Sequence, residues 1–159
     1  MHKRIILVGR AASGKDFIRK KLENRGFRYA VSYTTRPPRE GEIDGVDYIF
    51  ISPQLALNMI KNDEFYEYVE FNGWIYGTSR DQFDQDDVFI MTPSGLAHLS
   101  EDARKQSFVI FIDIAEDIRR ERMSLRNMPG DSVERRLEAD RIDFENFTNY
   151  DIKITNHDF

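Results

Sequence analysis

A glycine-rich turn follows the first apolar run of the chain, and its spacing suits phosphate binding. Gly9, Gly14 and Lys15 complete the pattern Gly-x4-Gly-Lys. Glycine lets backbone N–H groups wrap around phosphate oxygens, the helix start adds partial positive charge, and the lysine reaches the outer phosphates. The residues of this predicted phosphate loop are Gly9, Arg10, Ala11, Ala12, Ser13, Gly14, Lys15 and Asp16.

A second candidate binding site lies in a proline-containing stretch. Arg36 and Arg39 flank the pair Pro37-Pro38, and Tyr48 follows further along. The fixed φ of proline holds the two guanidinium groups apart, and each binds phosphate oxygens with a rigid fork. Tyr48 adds a hydroxyl donor. We predict a clamp for one phosphate dianion here; the alternative is an exposed basic loop without a specific ligand.

The arginines are unevenly distributed along the chain. There are sixteen arginines and seven lysines, and residues 116–141 contain seven arginines, seven acidic residues and no lysine. Because arginine suits phosphate and the formal charge of the chain is −5, this pattern favours a small phosphorylated ligand and no nucleic-acid partner. The alternative is a solvated helix with internal ion pairs.

Strands and helices alternate in the sequence pattern. Continuous apolar runs predict buried strands at 4–8, 88–91 and 108–114, with a last strand at 150–155. Helices are predicted at 15–24, 117–125 and 132–147, and the first should bury Phe17, Ile18 and Leu22. This alternation predicts an α/β fold with a parallel sheet flanked by helices.

The pattern changes between residues 32 and 80. Ser52-Pro53 is typical of a helix start, and Asn72-Gly73 separates two alternating runs at 65–71 and 74–76. Asn-Gly between strands indicates a hairpin, because both turn positions need positive φ. We interpret residues 32–80 as a small lobe inserted into the α/β core.

Composition restricts the function classes. The chain has 159 residues, of which 40% are apolar, and it has no cysteine, which excludes disulfides, thiolate metal sites and cysteine nucleophiles. Its apolar runs are the size of strands, too short to span a membrane. The apolar run that follows the first basic residues is also too short for a signal peptide. We expect a cytoplasmic protein without membrane contact.

Together these motifs resemble the guanylate kinase family, from the phosphate loop through residues 32–48 and the hairpin to residues 151–156. The resemblance implies a P-loop NTPase-type core (1–31 and 81–159), an acceptor-binding lobe that holds a nucleoside monophosphate (32–80), and a short arginine-bearing lid (about 126–135). It also implies phosphorylation of GMP or dGMP by ATP with Mg²⁺, in a monomer or homodimer. The Gly-Lys-Asp ending of the loop also resembles phage deoxynucleoside monophosphate kinases.

Site residues are implied by the same resemblance. Catalytic roles fall on Lys15, Arg126 and Arg136, with Arg135 as the alternative to Arg136, because this chain has one residue fewer between the lid arginines. Asn156 matches the residue beside the donor adenine. The implied ATP-binding residues are therefore the eight of the phosphate loop together with Asn156. Guanine offers two adjacent donors, which a carboxylate such as Glu67 can accept. The implied GMP-binding residues are Ser32, Arg36, Arg39, Glu42, Tyr48, Glu67, Tyr76, Thr78 and Thr92.

The chain departs from the family pattern at two positions. Asp16 stands where a hydroxyl is usual, and Thr92 stands where an acid is usual. We hypothesise that Asp16 is the acidic partner of magnesium and Thr92 the neutral one; the alternative is that Asp16 only favours the helix start. The family's C-terminal helix is also expected to be missing, because three residues follow Asn156.

Two other functions remain open from the sequence. One is a guanylate-kinase-like domain that binds a protein partner without catalysis. The other is an enzyme of the same fold with a broader deoxynucleoside monophosphate range. The intact loop residues Gly9, Gly14 and Lys15 favour an enzyme.

Overall fold

The computed structural model describes residues 2–126, 128 and 130–159. Its strands are β1 (Arg4–Gly9), β2 (Tyr33–Thr34), β3 (Ile49–Phe50), β4 (Phe65–Phe71), β5 (Trp74–Ser79), β6 (Val88–Ile90), β7 (Ser107–Ile112) and β8 (Ile152–Ile154). Its helices are α1 (Lys15–Glu23), α2 (Pro53–Lys61), α3 (Arg80–Gln85), α4 (Pro93–Ala97), α5 (Glu101–Lys105), α6 (Glu116–Ser124) and α7 (Val133–Asp143).

The first sheet has the strand order β6-β1-β7-β8. β1 and β7 are parallel, as are β7 and β8. Ile6, Leu7 and Val8 on β1 are fully buried, as the apolar run predicts for a strand covered on both faces. The predicted α/β fold with a parallel sheet flanked by helices is confirmed.

The second sheet has the order β3-β2-β5-β4 and contains the predicted hairpin. Asn72 and Gly73 join β4 to β5 with φ of 53° and 79°, the positive values that this two-residue turn needs. The register shifts between Phe65 and Glu67, so Tyr66 is an extra residue in β4. Such a bulge changes which way the following side chains point.

The chain forms two compact units. The first comprises Met1–Gly26 and Ile90–Phe159, and the second comprises Phe27–Phe89. The predicted inserted lobe, 32–80, falls within the second unit. Among the described residues, none of the helices combines the length and the apolar character that crossing a membrane requires.

The prediction of the buried face of α1 was wrong for Phe17. This side chain is 47% exposed, whereas Arg19 is 2% exposed. Arg19 is buried because two acids of its own helix neutralise it: its Nε lies 3.0 Å from Asp16, and its Nη1 lies 2.7 Å from Glu23. The Phe17 ring instead faces Phe159, and the centroids of the two rings are 6.0 Å apart.

Several short elements have no clear sequence pattern. α3, α4, α5, β2 and β3 each have two to six residues, too few to show a periodicity. α2 begins after Ser52 as predicted, with the Ser52 hydroxyl accepting from the Leu55 N–H. α7 ends at Asp143 rather than at residue 147. There Phe144 and Phe147 pack on Phe111 of β7, which needs a chain direction different from that of the helix.

Candidate active site

The phosphate loop connects β1 to α1 in the first unit. Gly9 must be glycine, because a Cβ would lie 2.8 Å from the Ile112 carbonyl oxygen of the neighbouring strand. Gly14 has φ of 102° and precedes the first residue of α1, a conformation that glycine adopts without strain. The predicted sequence of strand, turn and helix around residues 9–16 is therefore confirmed.

Lys15 is half-buried at the start of α1 and folds back over the loop. Its Nζ donates to the carbonyl of Gly9 and, at 3.3 Å, to that of Arg10. Burial lowers the pKa of the Lys15 ammonium to about 8, because desolvation disfavours the charged form. The carboxylates of Asp140 and Asp16 oppose this lowering of the pKa. The guanidinium groups of Arg136 and Arg126 add to it by repulsion, so three cations are gathered near the loop.

Side chains from α6 and α7 fix the backbone of the loop. The Ala11 N–H donates to Asp140 of α7 at 3.0 Å, and Arg122 of α6 donates to the Ala12 carbonyl at 2.9 Å. Ala12 also packs in a buried apolar cluster with Met123 and Leu137. The loop is thus attached to the two helices that border the arginine-rich segment.

The predicted catalytic arginines of the arginine-rich segment have different surroundings. Arg126 is exposed and follows the end of α6 in the chain. Arg135 and Arg136 lie in the first turn of α7, and both are paired with Asp131. The Asp131 side chain is fully buried, and its hydrogen bonds from Arg135 and Ser132 outweigh burial and lower its pKa to about 2. Residues 127 and 129 of the predicted lid, 126–135, lie outside the described residues.

Four further predicted residues of the first unit have local contacts. Asp16 is exposed and pairs with Arg19. The Thr92 hydroxyl accepts from the Gly95 N–H at 3.0 Å and so caps α4. Asn156 is exposed and follows β8 in the chain, and its side-chain oxygen accepts from the Asp158 N–H at 3.0 Å. Arg10 of the phosphate loop pairs with Asp113, the residue after β7, at 2.8 Å between side-chain atoms.

In the second unit, Arg36 and Glu42 form a buried ion pair. Arg36 is 4% exposed, and its two terminal nitrogens donate to the two Glu42 oxygens at 2.8 and 2.9 Å. The Arg39 N–H donates to Glu42 as well, at 2.6 Å. Burial acts to raise the pKa of Glu42, but these hydrogen bonds prevail and hold the pKa below its usual value. Glu42 therefore stays ionised and orients the Arg36 fork.

Two tyrosines adjoin this ion pair. The Arg36 guanidinium lies 5.2 Å from the centre of the Tyr48 ring, and the Tyr48 and Tyr76 rings lie 6.0 Å apart, edge to face. Tyr76 belongs to β5, on the same face as Thr78 two residues later. Residues far apart in sequence thus meet around one arginine.

Glu67 lies at the other end of this group. It is 8% exposed and pairs across the hairpin with Thr78, which is 2% exposed. We call this set the acceptor row. Its members are linked pairwise through strand pairing, a shared strand face, ring contacts and an ion pair, in the order Glu67, Thr78, Tyr76, Tyr48, Arg36 and Glu42. Ser32 and Arg39 are half-buried in the same unit, at the entry to β2 and next to the proline pair. The row begins with the Glu67 carboxylate and ends with the ion pair in which Glu42 holds Arg36.

Gly77 lies between the two row residues of β5 and is expected to matter for Glu67. A Cβ on Gly77 would lie 2.8 Å from the Phe65 ring and 2.9 Å from the Glu67 carbonyl oxygen. We predict that Gly77→Ala lowers the free energy of unfolding by about 1–3 kcal/mol, because β4 must move. For the nucleotide acceptor that the family resemblance implies, the same movement should raise KM about tenfold.

The control for this prediction is Gly73→Ala in the hairpin turn. Gly73 has φ of 79°, and a Cβ there meets nothing within 4 Å. Gly73→Ala should therefore cost about 1–2 kcal/mol of stability through backbone strain and leave KM unchanged. Denaturant unfolding and acceptor titrations measure both quantities. An equal rise in KM for the two variants would contradict a local effect at Glu67.

Sequence reasoning missed the side chains that position the candidates. Asp140 carries no motif of its own, and its contact with the Ala11 N–H depends on the folded chain. Gly77 lies in a Tyr-Gly-Thr run, but its close approach to Phe65 and Glu67 depends on the folded chain as well. Asp131 had one usable indication, since it precedes the helix-capping Ser132 and lies four and five residues before two arginines. That spacing places an acid and a base on one helix face.

Comparisons with known proteins bear on the family and the fold of the chain. The family model described as guanylate kinase matches residues 1–159. The crystal structure of guanylate kinase from Anaplasma phagocytophilum superimposes with a TM-score of 0.75 at 26% identity, covering 99% of this chain and 78% of that one. Guanylate kinases of Bacillus cereus and Bacillus anthracis are each 46% identical over 80 residues.

The aligned part covers 48% of this chain and 39% of each Bacillus protein, so the match spans well under half the length of these relatives. The family model, by contrast, covers every residue from 1 to 159. The structural match extends over nearly the whole chain as well. The chain therefore belongs to the guanylate kinase family.

Proposed function

We propose that the protein transfers the terminal phosphoryl group of ATP to GMP or dGMP. The observation that supports this most directly is the acceptor row, with a buried carboxylate at one end and a clamped arginine at the other. A purine monophosphate has the matching order of groups, base edge first and phosphate last. The family membership supports the same activity.

Glu67 is proposed to read the base. Guanine presents N1–H and the 2-amino group side by side, and the two oxygens of a carboxylate accept from both. Adenine has an acceptor at N1, which would repel Glu67. Burial of Glu67 strengthens this discrimination, because a carboxylate shielded from water interacts more strongly with the donors or acceptors of the base that it faces.

Arg36, Tyr48 and Tyr76 are proposed to bind the acceptor phosphate, together with Arg39 and Thr78. Glu42 fixes the Arg36 fork before the substrate arrives, which lowers the ordering cost of binding. Ser32 is proposed as a second base contact, donating its hydroxyl to O6. Thr92 caps α4, and we assign it no contact with the base.

Lys15, Arg126 and Arg136 are proposed to bind the donor phosphates and the transferring group. The pKa of Lys15 is lowered mainly by burial, with smaller contributions from the charges of Arg136 and Arg126, and a polyanion bound among the three cations would relieve their repulsion. The attacking phosphate oxygen is already anionic at neutral pH, so the reaction needs no general base. Alignment and charge neutralisation then supply the rate enhancement.

The residues near the loop fit a magnesium ion held mainly by the donor phosphates. Among the described residues, no three His, Cys, Asp or Glu side chains form a metal-binding group. Magnesium in kinases usually has one or two carboxylates, water and substrate phosphates as ligands. Asp16, exposed beside Lys15, is the carboxylate that would hold it. The bound ion would neutralise charge on the transferring phosphate.

The test of this function is a coupled assay for ADP at fixed MgATP over GMP, dGMP, AMP, dTMP and ribose bisphosphate. We expect turnover with GMP and dGMP and little with the others. Comparable rates over all nucleotides would indicate a broader deoxynucleoside monophosphate kinase. No ADP with any acceptor would contradict an enzyme and favour a protein-binding domain. We further propose a cytoplasmic monomer or homodimer in which residues 126–135 act as the lid.

Asp16→Ser is expected to raise the magnesium concentration needed for half-maximal activity about tenfold, because it removes the only acid of the loop. Adding Thr92→Asp to Asp16→Ser should return the magnesium requirement to the wild-type value, so the effects of the two substitutions would be non-additive. Glu23→Gln is the matched control, since Glu23 also pairs with Arg19 but lies two turns from the loop. Wild-type magnesium dependence in Asp16→Ser would mean that Asp16 only pairs with Arg19 and stabilises the helix start.

A further inference from the structure

Asp131 is an acid buried between two neighbouring arginines. Its side chain is fully buried just before α7. Arg135 donates to both of its oxygens at 2.5 Å, through Nε and Nη2. Arg136 donates to Oδ2 through Nε at 2.8 Å. The Ser132 N–H also donates to Asp131, at 2.7 Å, which fixes the carboxylate relative to the helix start.

The two arginines use this carboxylate unequally. Arg135 binds it with one whole edge of its fork, the geometry that holds a guanidinium most firmly. Arg136 donates to Oδ2 through its Nε, and this hydrogen bond sets the direction in which the Arg136 side chain runs. Arg136 also acts on the charge of Lys15, which places it towards the phosphate loop.

The Asp131 carboxylate keeps its charge and accepts from both guanidinium groups. Burial acts to raise its pKa, but the hydrogen bonds from Arg135 and Ser132 and the charges of the two arginines prevail and lower it to about 2. Asp131 therefore remains an ionised acceptor for both arginines at neutral pH.

We propose that Asp131 is a positioning residue that directs Arg136 towards the donor phosphates, with Arg135 as the anchor that holds Asp131 in place. This inference rests on the proposed function and extends it by assigning different tasks to Arg135 and Arg136. An unrestrained arginine loses rotamer freedom when it meets the transferring group. Prior orientation by Asp131 removes that loss and fixes the donor geometry.

The test compares Asp131→Asn with Arg135→Gln and Arg136→Gln in steady-state assays of ADP formation. Arg136→Gln should lower kcat about 10²- to 10³-fold, as the loss of one positioned donor does. Asp131→Asn should lower kcat about 10- to 100-fold with KM for GMP nearly unchanged. Arg135→Gln should lower kcat less than Asp131→Asn does, although both residues belong to the same ion pair.

The double variant Asp131→Asn with Arg136→Gln decides whether the two act as one unit. We expect it to be no slower than Arg136→Gln alone. Multiplying effects, wild-type kcat in Asp131→Asn, or a larger loss in Arg135→Gln than in Arg136→Gln would each overturn the proposal. Asp131→Glu, which keeps the charge, should recover part of kcat. Thermal melting of every variant separates loss of folding from loss of positioning.

Failure of the proposed function is distinguishable from failure of this inference. A wild-type chain that phosphorylates none of the acceptors contradicts the function, and calorimetric titration with ATP then tests Asp131. Asp131→Asn and Arg136→Gln should each weaken ATP binding, and the double variant should weaken it no further than Arg136→Gln. Additive weakening, or none in Asp131→Asn, would overturn the role of Asp131.

Discussion

Replacement of Lys15 by alanine is expected to lower the rate of ADP formation about 10³- to 10⁵-fold, the range that one positioned cation supplies in phosphoryl transfer. Thermal melting should change little, because the variant also removes the cost of desolvating an ammonium group. Among the described residues, the hydrogen bonds of the Lys15 ammonium go to carbonyls of its own loop, those of Gly9 and Arg10, and water can take its place as the donor to them. The measurement is single-turnover formation of ADP with GMP, alongside a melting curve.

Lys21→Ala is the matched control for this prediction. Lys21 lies on the same helix, is exposed, and stacks 4.6 Å above the Phe17 ring. Its loss should cost less than about 1 kcal/mol of stability and leave turnover unchanged. Lys15→Arg retains the charge with a longer, planar head and should remain strongly impaired. A Lys15→Ala variant with most of the wild-type rate would mean that the loop has only a structural role.

Glu67→Gln is expected to lower kcat/KM for GMP by up to about 10⁴-fold, because an amide offers one acceptor and places a donor against a guanine donor. Selectivity should fall with it: the advantage of GMP over IMP, which lacks the 2-amino group, should shrink. The rate with a saturating acceptor should fall less than the affinity does. Initial rates over a range of GMP and IMP concentrations measure both effects.

Glu70→Gln provides the control on the same strand. Glu70 is exposed and pairs across the hairpin with Ile75, away from Thr78. Its variant should be indistinguishable from the wild type in GMP kinetics. If Glu67→Gln binds GMP as tightly as the wild type, Glu67 is not part of the base site and the acceptor row must be reassigned.

The hairpin and the phosphate loop could be predicted from the sequence because local chemistry determines them. Asn72-Gly73 needs only its own φ angles, and Ser52 caps a helix three residues away. The face of α1 could not be predicted in the same way. Phe17 is more apolar than Arg19, yet ion pairs within the helix let the arginine be buried.

The positioning contacts of the site were beyond sequence reasoning for a different reason. The Ala11 N–H meets Asp140, which is 129 residues away in the chain. Either residue alone resembles an ordinary loop or surface position, and only the packing of α7 against the loop selects the partner. The roles of Asp131 and Glu42 likewise depend on which guanidinium atoms they contact.

The two sheets have different consequences for the order of folding. β4 and β5 are joined by a two-residue turn, and such hairpins form within about 1–10 μs. β1, in contrast, must wait for β7, because Arg4 pairs with Ser107 and Gly9 with Ile112. Contacts this distant in the chain are slow to form. During synthesis the hairpin can therefore form well before the loop at the end of β1 is closed, and refolding should protect the amides of β5 from hydrogen exchange earlier than those of β1.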